Sequence, residues 1–119
     1  INVDDDGSRV ENFVASHLLK AVNHWTDCGL GQYALWFIRD KEKREVDFLV
    51  SRDNNPWFLV EVKTSSKTGI SKNLAYFQKK IKAKHAFQVA FDMEYISKDC
   101  FKHTAPIIVP ARTFLTQLV

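Results

Sequence analysis

Apolar positions along the chain switch between helical and strand spacing in a simple order. Val10, Val14, Leu18, Ala21, Val22 and Trp25 recur every three or four residues and predict one amphipathic helix from Ser8 to about Trp25. Ser8 has the character of an N-cap, and Glu11, three residues on, completes a capping box. Residues 1–7, with Asp4-Asp-Asp-Gly7, then read as a flexible end or linker. Beyond a Gly-rich turn, strands are expected at Tyr33–Arg39, Arg44–Val50 and Trp57–Lys63, parted by Asp40–Lys43 and the turn-rich Ser51–Pro56. Loops that short make neighbours antiparallel. Ile70, Leu74, Phe77 and Ile81 mark a second helix, Ala86–Phe91 a fourth strand and Ala105–Val109 a fifth. Pro110 opens a short last helix carrying Phe114, Leu115 and Leu118. The expectation is a single α/β domain over residues 8–119, in αβββαβ order with a small βα tail, built on a central mixed sheet flanked by helices.

The second and third strands carry charges where a plain hairpin has none. With Val50 opposite Phe58, one face reads Val46, Phe48, Val50, Phe58, Val60 and Val62. The other carries Glu45, Asp47, Glu61 and Lys63, with Leu49 and Leu59 nearer the turn; a one-residue slip would mix the two sets, so the alternation argues for this register or one shifted by two. Asp47 then faces Glu61 with Cβ atoms about 5 Å apart, where like charges repel unless a cation lies between them. A hard divalent ion, Mg²⁺ or Mn²⁺, suits two carboxylates. The plainer alternative is that Lys63 and Arg44 neutralise an exposed polar face. Glu11 falls about 20° from both Leu18 and Val22 on a helical wheel, so it points inward with the apolar stripe.

At 119 residues the chain suffices for one real core, and 45% hydrophobic with 26% charged residues is ordinary globular composition. No apolar run approaches the roughly 20 residues of a membrane span. The acidic start lacks a signal peptide's basic region. A start without Met reads as a processed chain or, in preference, a fragment of a longer one, and the scarcity of cysteine suits a reducing cytoplasm. The net charge of +3 is uneven. Lys63, Lys67, Lys72, Lys79, Lys80, Lys82 and Lys84 fall in an acid-free stretch that suits either a phosphate backbone or a solvated helix face. Cys28 and Cys100 are too few for a disulfide framework. With His24 and His103 they could supply four zinc ligands, but the spacing is loose. No P-loop motif is present.

A helix-borne Glu11, a strand Asp47 and then Glu61-Val62-Lys63 in αβββαβ order resemble the PD-(D/E)xK nuclease superfamily, with its restriction endonucleases and Holliday-junction resolvases. The pattern Gly7…Glu11-Asn-Phe-Val14…Leu18, Arg44-Glu-Val-Asp-Phe-Leu-Val50, Val60-Glu-Val-Lys63 and Val109-Pro110…Phe114-Leu115 is most similar to an unnamed domain of unknown function at the C-terminus of prokaryotic AAA+-type ATPases. Val46 stands where the superfamily has a proline.

The resemblance implies a restriction-endonuclease-like fold and a Mg²⁺-dependent deoxyribonuclease, a phosphodiester hydrolase. Asp47, Glu61, the Val62 carbonyl and Glu11 would hold metal, and Lys63 would orient water or stabilise developing charge. Lys67, Lys72, Gln78, Lys79, Lys80 and Lys82 would bind DNA, branched or single-stranded. The ATPase domain of the parent chain would be a partner, and a homodimer is compatible although no interface signature is legible. The alternative is a catalytically silent nuclease-fold module binding DNA or its own ATPase. A protein-interaction domain using Trp25, Trp36 and Trp57 is a third reading, and burial in the core explains those tryptophans better.

Overall fold

The central hairpin takes the first of the two registers that the alternation allows, with Val50 opposite Phe58. In the computed structural model, which describes residues 4–118, Phe48 pairs with Val60, Leu49 with Leu59 and Val50 with Phe58. The elements are α1 (Asp4–Asp27), β1 (Tyr33–Arg39), β2 (Glu45–Arg52), β3 (Asn55–Lys63), α2 (Lys72–Ile81), β4 (His85–Ala90), a 3₁₀ turn (Cys100–Lys102), β5 (Ile107–Pro110) and α3 (Ala111–Leu115). They form a mixed α/β fold with one five-stranded sheet in the order β1-β2-β3-β4-β5. β1, β2 and β3 are antiparallel; β4 and β5 join in parallel.

Helices cover both faces. Val14, Leu18, Ala21 and Val22 of α1 pack with Phe48, Val50, Phe58, Val60, Val62 and Phe87. Leu74 and Phe77 of α2 pack with Val46, Leu49, Leu59 and Ala86 on the other side. β4 is buried along its whole length, as a strand covered on both faces must be.

Two bulges distinguish this sheet from the regular one expected. Trp36 pairs with Leu49 and Ile38 with Val46, so Phe37 alone stands opposite both Asp47 and Phe48. Such a bulge breaks the two-residue alternation and re-aims side chains. Val46 accordingly packs with the α2-side cluster, not on the Phe48–Val50 face where strict alternation places it. The second bulge follows Val50, where Ser51 pairs with Pro56 and leaves Trp57 as the extra residue. Pro56 has no N–H to lose there. Trp57 joins Phe58 on the α1 side, 5.7 Å from Trp25 between ring centres.

Three further expectations need correction. α1 begins at Asp4, so Ser8 lies within the helix and cannot cap it, while residues 1–3 lie outside the described ones. Helical Gly7 costs about 1 kcal/mol against alanine, which packing of the α1 stripe outweighs. Trp36 is 51% exposed, with its indole N–H donating to Ser51 Oγ at 2.8 Å, so only Trp25 and Trp57 support the core. Arg44 is drawn from the acids by Asp40, at 2.7 Å, and lies 4.0 Å over the Tyr76 ring.

α2 ends on Lys82 in the left-handed region (φ 59°), its N–H donating to Gln78 O. Glycine is the residue this conformation favours. Lys82→Gly should stabilise the protein by about 1 kcal/mol and raise the thermal midpoint by roughly 4 °C, read by calorimetry. No gain would mean that the lysine side chain compensates elsewhere.

Candidate acidic site where two strands part

The bulge in β2 builds the site. The β2–β3 pairing runs only as far as Phe48 and Val60; beyond it Val62 N–H donates to Asp47 Oδ2 at 2.7 Å. A side-chain oxygen thus satisfies a backbone donor where the ladder stops. Asp47 is thereby held between an acid from each side. From α1, Glu11 reaches it by a carboxyl–carboxyl hydrogen bond, as its place in the apolar stripe predicts. From β3, Glu61, 8% exposed, is its other neighbour. Lys63 closes β3, and its charge acts on both Glu11 and Glu61. Among the described residues the ion pairs within 4.0 Å are those of Arg44 and Arg52, so the Lys63 ammonium is not locked onto either acid. Val62 meets the site through its N–H.

A support behind Glu61 escaped the sequence reading. Ser71 Oγ donates to Glu61 Oε2 at 3.3 Å and also accepts from Leu74 N–H as the N-cap of α2. Ser71 N–H in turn donates to Gln88 Oε1 at 2.8 Å, and Gln88 Nε2 donates to Gly69 O at 3.1 Å. Gln88 is fully buried and pairs with Glu61 across β3 and β4. Two signals were available: a serine just before a helical apolar run, and an amide alone in an apolar strand.

Crowded carboxyls hold protons. The hydrogen bond to Asp47, then burial and the Asp47 charge, push Glu11 up to about 7, against the pull of Lys63. Burial raises Asp47 to about 6, opposed by hydrogen bonds from Glu11 and Val62 N–H and reinforced by Glu61. Burial also raises Glu61, opposed by Asp47, Lys63 and Ser71. Glu11 and Asp47 together hold a proton more tightly than either carboxyl would alone. Either a proton or a cation must relieve the repulsion here.

The donor set fits a hard divalent ion. Among the described residues no three His, Cys, Asp or Glu side chains already converge as a metal cage, which holds both for these acids and for the His24, Cys28, Cys100 and His103 set. Mg²⁺ commonly takes one or two carboxylates and keeps several waters, so the two carboxylate pairs made by Asp47 are the right kind of ligand. A cleft of about 380 Å³ opens beside Glu11 and Asp47, walled by Phe37, Arg39 and Asn12 among others.

The lysines divide by position. Lys67 and Lys72 are exposed near the end of α2 that meets Glu61, whereas Lys79, Lys80 and Lys82 are exposed roughly 15 Å along that helix. Gln78 is committed structurally: its amide donates to Ala83 O at 3.3 Å and Thr104 O at 2.6 Å. Among the described residues no helix is long and apolar enough to cross a membrane.

Comparison with curated proteins and with solved structures gives no match. The model of a family described as "Domain of unknown function (DUF4143)" matches residues 6–108, and the chain belongs to that family.

Proposed function

We propose that this chain is a metal-dependent endonuclease-like domain that hydrolyses phosphodiester bonds in DNA beside an AAA+-type ATPase. The observation that carries the reading is Asp47, set by a bulge between Glu11 and Glu61 with Val62 N–H on its Oδ2. A fold gains nothing in stability from three adjacent acids, two of them pushed up to about 6 and 7.

Asp47 and Glu61, with Glu11 and the Val62 carbonyl, would hold Mg²⁺ or Mn²⁺. Bound there, the ion would lower the pKa of an attacking water and offset charge on the phosphate. Asp47 is pre-positioned by Val62 and Glu61 by Ser71, so neither must reorganise on binding. Lys63 brings a positive charge to the same end of β3, where it would orient water or meet charge developing on the phosphate. Lys67 and Lys72 would lead the DNA backbone to the acids. The ATPase link rests on the sequence pattern.

One feature favours a catalytically silent module: with Glu11 pushed up to about 7, protonation of the Glu11–Asp47 pair relieves part of the repulsion without metal. Titration calorimetry with Mn²⁺ at pH 8 separates the readings, paired with cleavage of single-stranded, duplex and branched DNA. The nuclease reading expects binding that Asp47→Ala and Glu61→Ala each abolish, and Mn²⁺-dependent strand scission. Metal binding with every DNA left intact would favour the silent module. No metal binding would remove the nuclease reading.

A further inference from the structure

Phe37 is the most conspicuous side chain that the proposed chemistry does not use. It is 76% exposed, although a phenylalanine on a strand ordinarily belongs in a core. It is not loose. It stands opposite the Asp47–Phe48 bulge, with its ring 5.7 Å from that of buried Phe48 at an interplanar angle of 54°. The ring therefore leans on the core through Phe48 while most of it is open to solvent.

Its neighbours are polar. Phe37, Arg39 and Asn12 wall the cleft that contains Glu11 and Asp47. Phe37 and Arg39 are two residues apart on β1, the strand at the edge of the sheet, so their side chains leave it on the same side. An aromatic plane, a guanidinium at strand spacing and an amide around one cleft match a nucleotide with a free base. The ring stacks the base, Arg39 meets a phosphate, and Asn12 can pair with a base edge.

We propose that Phe37 and Arg39 form a single-strand binding site that stacks an unpaired nucleobase and places the adjoining phosphodiester at Glu11 and Asp47. The proposal deepens the nuclease reading and rests on it for the role of the acids, but not for binding itself. Base-paired DNA offers no free base face to a protruding side chain, so the site selects single strands or unpaired ends. An apolar protein partner would be served equally by any large aliphatic residue at position 37, whereas stacking needs a ring.

The test is fluorescence anisotropy with a labelled 20-mer of thymidine and a blunt duplex of equal length. Asp47→Asn protein in EDTA serves as the host, so that neither cleavage nor metal enters. The single strand should bind tighter than the duplex. Phe37→Ala should weaken it about tenfold, Phe37→Leu should weaken it nearly as much, and Phe37→Trp should retain it. Arg39→Ala should weaken binding and lower the salt slope by about one. Equal affinity in Phe37→Leu, a preference for duplex, or no single-strand binding would each overturn the proposal. Phe37 is too exposed for its loss to endanger the fold, and an unchanged thermal midpoint checks this. Failure of the nuclease reading would show instead as absent Mn²⁺ binding in the native protein while the anisotropy pattern persisted.

Discussion

Asp47→Asn makes the metal-free protein more stable at pH 8, by about 2 kcal/mol, and abolishes its stabilisation by Mg²⁺. Asp47 titrates near 3.8 when unfolded and is raised to about 6 by burial in the fold. A raised acid holds its proton longer in the folded state. Stability therefore falls as pH rises through the window from about 4 to 6, and the full cost is present above it. Two pKa units correspond to about 3 kcal/mol, reduced to about 2 because water reaches part of the side chain. Glu11, raised from 4.5 to about 7, extends the same fall toward pH 7. Asparagine carries no charge, and its carbonyl can still accept from Val62 N–H while its amide donates to Glu11 or Glu61.

Magnesium acts in the opposite direction on the native protein. A tenfold excess over the dissociation constant adds about 1.4 kcal/mol to the folded state. Urea unfolding at pH 5 and pH 8, each with EDTA or Mg²⁺, reads all four conditions. Native protein in EDTA should be more stable at pH 5, and Asp47→Asn should flatten that difference and ignore Mg²⁺. An Asp47→Asn protein less stable than native at pH 8 would show that the acids are structural, each holding its neighbours in place.

Most of this architecture was legible because the signals were periodic. The α1 stripe, the hairpin register and the apolar run of β4 follow from spacing alone, and so did the inward direction of Glu11. What strict alternation could not convey was the bulge at Asp47 and Phe48. It shifts Val46 to the α2 side and puts Asp47 between α1 and β3, so the acids do not line one flat face. A bulge depends on how β1 pairs with β2, and no local pattern announces it. The start of α1 was misread for a related reason. Ser8 and Glu11 match a capping box, but Glu11 is engaged with Asp47 and the helix begins before Ser8. Charge alone sets Arg44 beside the acids and the resemblance sets Gln78 on DNA, whereas the structure gives Arg44 to Asp40 of its own turn and to Tyr76 of α2, and Gln78 to the carbonyls of Ala83 and Thr104.

Lys63→Ala should lower the rate of metal-dependent DNA cleavage by at least about a hundredfold, the loss typical of one preorganised charge at a reacting centre. The ammonium lies at the end of β3, its charge acts on Glu11 and Glu61, and no acid pairs with it within 4.0 Å among the described residues. It is therefore available to a phosphate oxygen or a water. Its removal costs little stability, about 0.5 kcal/mol or less, because the side chain is half-buried and makes no locked ion pair. It also raises Glu11 and Glu61 further, since Lys63 now holds both down. Metal affinity should therefore weaken near pH 7 and recover at pH 8.5, where the acids are ionised without help. Cleavage and Mn²⁺ binding measured together at pH 8.5 isolate the catalytic role. Lost cleavage with binding intact places Lys63 at the reacting phosphate. If cleavage falls only in proportion to metal occupancy, Lys63 serves to tune the acids and has no direct part in the chemistry.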